Sequence, residues 1–131
     1  MKIDFAIGFV VFRPTEGFLT RLKLLDECGC RVYIYDNSPE ECTTRSLVRE
    51  FPAVTYLTCG KNLGLGVGVS SICAHAYYVS FQTLLFFDQD TIFNESTISY
   101  IQKFSEKKLI DIQSSYSAVV FNAKDYSKKN Q

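Results

Sequence analysis

The chain has 131 residues, of which 47% are hydrophobic and 21% charged. That composition supports one packed domain and excludes a disordered chain. Fourteen basic residues balance fourteen acidic ones, so the unspecific electrostatic attraction that drives nucleic-acid binding is missing, and no DNA or RNA partner is expected.

No unbroken apolar run exceeds four residues, as at Phe9 to Phe12 and Leu84 to Phe87, far short of the roughly 20 residues that span a bilayer. Asp4 interrupts the run behind Lys2 and no small-residue cleavage site follows, so no signal peptide is read. The five cysteines contain C-x-C once and no C-x-x-C. They read as buried or idle thiols of a reducing compartment. The single histidine, His75, cannot support a multi-histidine metal site and reads as a packed or surface residue.

Ile3 to Phe12 is apolar, β-branched and aromatic, the pattern of a strand buried on both faces. Arg13-Pro14 ends it. Phe18, Leu22 and Leu25, and Leu19 with Leu22, follow at helical spacing, with Gly29 as a stop. Arg31 to Tyr35 predicts a second strand, ending at Asp36-Asn37-Ser38-Pro39. Ser38, Pro39 and Glu41 form a capping-box pattern for a helix running to about Phe51. Val54 to Thr58 predicts a third strand. Gly60 to Gly68 is a glycine-rich turn, and Val69, Ile72, Cys73, Ala76 and Val79 mark one face of the helix after it. Thr83 to Phe87 predicts a fourth strand, followed by Asp88-Gln89-Asp90-Thr91. Asn94 caps a further helix, with Glu95 favourable to its dipole and Phe93 and Ile98 as a hydrophobic staple. Ile98, Ile101 and Phe104 form its apolar face. A last strand is predicted at Ser117 to Phe121, and Lys124 to Gln131 is polar.

Strands alternating with helices predict an α/β fold, Rossmann-like, with a mostly parallel sheet and helices on both faces. Ligands of such sheets bind beyond the carboxyl ends of the strands. That rule selects Arg13, Asp36 to Ser38, the glycine turn, and Asp88 to Asp90. Asp88 and Asp90 leave a strand end two residues apart and could share a divalent cation and a diphosphate. A solvated acidic turn, with Asp90 capping a short helical turn, is the alternative. Asp36 could accept a hydrogen bond from a base N–H or a ribose hydroxyl; an Asx turn is the alternative. Arg13 could face a phosphate or simply be solvated. The glycine turn fits neither named phosphate motif. Gly60-Lys61 is followed by Asn62 where a P-loop needs Ser or Thr, and Val69 or Ser71 stands where a dinucleotide fingerprint needs its third glycine.

In order and spacing these segments resemble family 2 glycosyltransferases of the GT-A fold, most of all bacterial rhamnosyltransferases that build O-antigen or other surface polysaccharide. The resemblance rests on Ile7 to Pro14, Asp36-Asn37-Ser38, Asn62-x-Gly64 and Leu84 to Thr91 with its Asp-Gln-Asp-Thr ending. It implies that Asp36 contacts a pyrimidine base and Asp88 the ribose or sugar side of the donor. Asp90, with Asp88, would hold Mg²⁺ or Mn²⁺ at the diphosphate. Asn62 and Gly64 would shape the nucleotide pocket, and Ile7 to Pro14, with Arg13 among them, would be the first strand and base-binding loop. The implied donor is a nucleoside diphosphate sugar, dTDP-rhamnose or a UDP-sugar, and the implied acceptor a lipid-linked or free oligosaccharide. The implied location is the cytoplasm, at the inner membrane face.

Val11-Phe12-Arg13-Pro14 stands where the family has Thr-Tyr-Asn-Pro, and Ser70 and Ile72 replace an asparagine and a glycine of the helix after Asn62. The family's catalytic domain is about twice this length. The expectation is therefore a single domain, residues 1–131, carrying the donor half, with the acceptor site and catalytic base beyond Gln131. An unpaired sheet edge would then favour homo-oligomers. A non-catalytic nucleotide-binding module and a dinucleotide-binding domain are the alternative readings.

Overall fold

A computed structural model of the chain describes residues 5–39, 46, 48, 50–79, 81 and 83–107. The elements are β1 (Phe5–Val11), α1 (Glu16–Glu27), β2 (Arg31–Asp36), β3 (Val54–Thr58), α2 (Leu65–Tyr78), β4 (Thr83–Phe86) and α3 (Glu95–Lys107). All strand pairings are parallel, in the order β3-β2-β1-β4. The chain adds β2 and β3 on one side of β1, then crosses to add β4 on the other. The direction of winding therefore reverses between β1 and β4, where an open α/β sheet leaves a crevice at its carboxyl edge.

Successive side chains of a strand face opposite sides of the sheet, so β1 serves two cores. Ile7, Phe9 and Val11 pack with Phe18, Leu22 and Leu25 of α1 and with Ile98 and Ile101 of α3. Ala6 packs with Tyr33, Tyr35 and the α2 residues Ile72 and Ala76. Helices therefore cover both faces. The first core is aromatic at its centre: Phe9 meets Phe18 edge-on at 5.3 Å and Phe93 at 6.1 Å, and Phe87 meets Phe93 at 5.0 Å. Such edge-to-face contacts add to what burial alone supplies.

Local signals in the chain set several helix ends. Gly29 has φ 73°, a conformation that suits glycine at the end of a helix. Its N–H donates to the Asp26 carbonyl at 2.9 Å and that of Cys30 to Leu25 at 3.0 Å, closing α1. Asn94 caps α3: its Oδ1 accepts the Thr97 backbone N–H at 2.8 Å. Phe93 and Ile98, the two staple positions, are both buried in the larger core.

The glycine-rich stretch differs from the expectation. Helix α2 starts at Leu65, so Gly66 and Gly68 belong to the helix. The reason is close packing. A Cβ on Gly68 would stand 2.7 Å from Val10 Cγ1 and 3.2 Å from the Tyr35 ring. The helix presses directly onto β1 and β2 there, and its inward face is Gly68, Ile72 and Ala76. Cys73 and Val79, expected on that face, are exposed. The predicted strand at Ser117 to Phe121 and most of the helix expected between Ser38 and Phe51 lie outside the described residues, as does the Phe104 side chain. Within that second segment, Ser46 and Val48 are helical and Val48 is buried. Among the described residues no helix is long and apolar enough to cross a membrane.

Candidate functional site

The carboxyl ends of β1, β2 and β4 carry the singled-out residues, and they form two unlike environments. Across the register Asp36 lies beside Val11 of β1 and Thr58 of β3. It is 1% exposed, and Asn37 and Ser38 are nearly as buried. The buried polar groups are hydrogen-bonded, as burial requires. Asp36 Oδ1 accepts the Ser38 N–H at 2.8 Å, which is an Asx turn. Its Oδ2 accepts the Tyr56 hydroxyl at 2.5 Å, and its carbonyl accepts the Thr58 hydroxyl at 2.8 Å. The Asp36 carboxylate thus makes the Asx turn that the sequence leaves open as the alternative, and the Tyr56 contact adds a partner from β3.

Its neighbours extend the same network. Asn37 Nδ2 donates to the Gly64 carbonyl at 3.1 Å while its Oδ1 accepts the Leu63 N–H at 3.2 Å. One amide side chain thereby ties the end of β2 to the loop before α2. Asn62 orders that loop from within, accepting the Gly64 N–H at 3.0 Å. Gly64 has φ 86° and is the N-cap residue of α2. Ser38 Oγ accepts the Arg13 N–H at 2.7 Å. Arg13 is exposed, has φ 46°, and sets its guanidinium 4.9 Å from the centre of the Phe12 ring.

At the end of β4 the environment is open. Asp88 to Thr91 form a turn closed by the Thr91 N–H on the Asp88 carbonyl at 3.0 Å. Asp90 lies inside this turn and does not cap a helix. Both Asp88 and Asp90 are exposed. Gln89 between them is half-buried and reaches across the surface to the end of β1: its Oε1 accepts the Phe12 N–H at 2.7 Å and its Nε2 donates to the Phe12 carbonyl at 3.2 Å. Arg21 of α1 donates to the Gln89 carbonyl.

Glu95, the next acid along the chain, is in the first turn of α3 and exposed. Among the described residues no three His, Cys, Asp or Glu side chains gather at one place. Asp88 and Asp90 expose their carboxylates at this edge.

Sequence reasoning named the aspartates and passed over Asn37 and Gln89, although each stands inside a quoted motif. A side-chain amide has donors and an acceptor together, so it can clip a backbone at two points. That property was the available signal.

An open groove of about 690 Å³ lies on the α2 side of β3, lined by Tyr35, Tyr56, Cys59, Ser71, His75 and Tyr78 among others. Neither Asp88 nor Asp90 lines it; it meets the strand ends through Tyr56, the partner of Asp36. His75 packs its ring 5.4 Å from Tyr33, and its buried Nδ1 has no hydrogen-bond partner among the described residues. The exposed Cys59 thiol is held below its ordinary pKa, first by a hydrogen bond with the Tyr35 hydroxyl and then by Lys61. The same bond raises that of Tyr35. Cys30 is buried, and loss of solvation pushes its thiol up to about 11. Cys28, Cys30, Cys59 and Cys73 are all free thiols.

Comparison of the chain with protein-family models, with curated proteins and with solved structures finds no match.

Proposed function

We propose that this chain carries the donor half of an inverting glycosyltransferase, binding a nucleoside diphosphate sugar together with Mg²⁺ or Mn²⁺. The observation that carries the reading is the pair of exposed, uncommitted carboxylates, Asp88 and Asp90, beside the reversal point of a parallel sheet. That is where an α/β sheet takes a nucleotide, and it is where the resemblance sets the diphosphate. The donor is dTDP-rhamnose or a UDP-sugar, and the acceptor an oligosaccharide, free or lipid-linked, met at the cytoplasmic face of a membrane.

In this reading Asp90 and Asp88 hold the cation. A bound Mg²⁺ or Mn²⁺ supplies positive charge to the leaving diphosphate. Arg13, exposed at the end of β1, lies along the donor phosphates. Asp36 serves the base from beneath the surface: it holds Ser38 and the Tyr56 hydroxyl in place, and these shape the pocket wall. Asn62 and Gly64 hold the loop on its other side. The acceptor hydroxyl and the base that takes its proton are not assigned to residues of this chain.

Calorimetry with dTDP and UDP tests the reading. Both are expected to bind weakly alone and more tightly with Mn²⁺, and Asp90→Ala is expected to remove the increment. Equal affinity with and without the metal would remove the cation from the reading. A preference for an adenine dinucleotide would replace it with a dinucleotide-binding domain.

A further inference from the structure

The turn that carries Asp88 and Asp90 is held from two sides through the residue between them. On one side the Gln89 amide meets both backbone polar groups of Phe12, at 2.7 and 3.2 Å, across 77 residues of chain. On the other, the Arg21 guanidinium holds the Gln89 carbonyl. With the Gln89 side chain clipped to Phe12, the two flanking residues stay exposed at the strand edge. The hold reaches further through the next residue of β1's loop. The Arg13 N–H donates to Ser38 Oγ, and the Ser38 N–H to Asp36. Residues 12 and 13 therefore form a strut between the ends of β4 and β2, with Gln89 fastening one end and Ser38 the other.

We propose that Gln89 is a positioning residue for the Asp88 and Asp90 carboxylates, and that Arg21 supports it. This rests on the reading of Asp88 and Asp90 as a cation site. Two short side chains on a turn present their oxygens to one ion only if the turn keeps a single conformation. Ordering them beforehand lowers the entropy cost of binding. Gln89 touches neither cation nor nucleotide in this role; it acts through its neighbours.

The test uses the full chain, with UDP and dTDP titrated with and without Mn²⁺. Gln89→Met keeps the length of the side chain and removes both hydrogen bonds to Phe12. It is expected to reduce the Mn²⁺-dependent gain in nucleotide affinity by about ten-fold, well beyond any change in metal-free affinity. Arg21→Met removes the second hold without touching Gln89 and is expected to act in the same direction. It carries the test if Gln89→Met does not fold. Merely structural support would weaken metal-free and metal-bound affinity alike, and that result overturns the proposal. So does a full Mn²⁺ gain in both variants, which leaves the cation site standing. A wild-type chain with no Mn²⁺ gain overturns both readings.

Discussion

The ends of β2 and β4 carry similar acidic triplets, Asp36-Asn37-Ser38 and Asp88-Gln89-Asp90, and the fold uses them in opposite ways. At β2 the acid points in and is consumed by hydrogen bonds to Ser38 and Tyr56. At β4 the amide is tied along the surface to Phe12, while both acids stay in solvent. The difference follows from strand position. β2 lies between β1 and β3, so its end has a neighbour on each side to supply donors. Among the described strands β4 borders only β1. A carboxylate satisfied by protein is part of the framework; one left to water is available for a ligand.

The largest effect should separate the two triplets directly. Asp36→Ala leaves the buried Ser38 N–H and the half-buried Tyr56 hydroxyl without this acceptor and should cost about 2 kcal/mol of folding stability. Asp88→Ala and Asp90→Ala should stay within about 0.5 kcal/mol, as exposed substitutions usually do. Urea unfolding of the three variants measures this. Equal losses would erase the distinction between framework and solvent-facing acid.

A second pair sharpens the picture of the closed side. Gly68→Ala drives a methyl into Val10 and Tyr35, and overpacking of this kind costs about 1–3 kcal/mol. Gly66 has nothing within 4 Å of an added Cβ, so Gly66→Ala should gain up to about 1 kcal/mol from helix propensity. Thermal melts of both variants should move in opposite directions. A shared direction would mean that α2 does not press on the sheet at Gly68.

The smallest effects concern the thiols. At pH 8 Cys59 should react with iodoacetamide several-fold faster than Cys73, which is also exposed, because the Tyr35 hydroxyl stabilises its thiolate. Tyr35→Phe should remove most of that advantage, as peptide mapping of the labelled chain would show. Cys30 should label only on unfolding. Its folded pKa lies above the unfolded value of about 9, so the folded state keeps its proton longer. The stabilisation from that thiol is complete below pH 9 and is lost as pH rises towards about 11. Cys30→Ser should flatten this part of a stability–pH curve, and an unchanged slope would rule out the thiol as its source.

What the chain determines unaided is local. Apolar runs and helical spacing place the four described strands and the faces of α1 and α3. Gly29 ends α1 and Asn94 begins α3, because each acts on backbone groups within a few residues of itself. The placement of the acidic triplets at strand ends is legible for the same reason. What only the tertiary structure decides is the work each polar group does. Asn37 finds its partners 26 and 27 residues away, and Gln89 finds its own 77 away. The start of α2 at Leu65, ahead of two glycines, is likewise set by contact with β1 and β2. A periodic pattern records which side of an element is buried. It does not record which neighbour supplies a donor, and that is what makes Asp36 framework and leaves Asp88 and Asp90 to solvent.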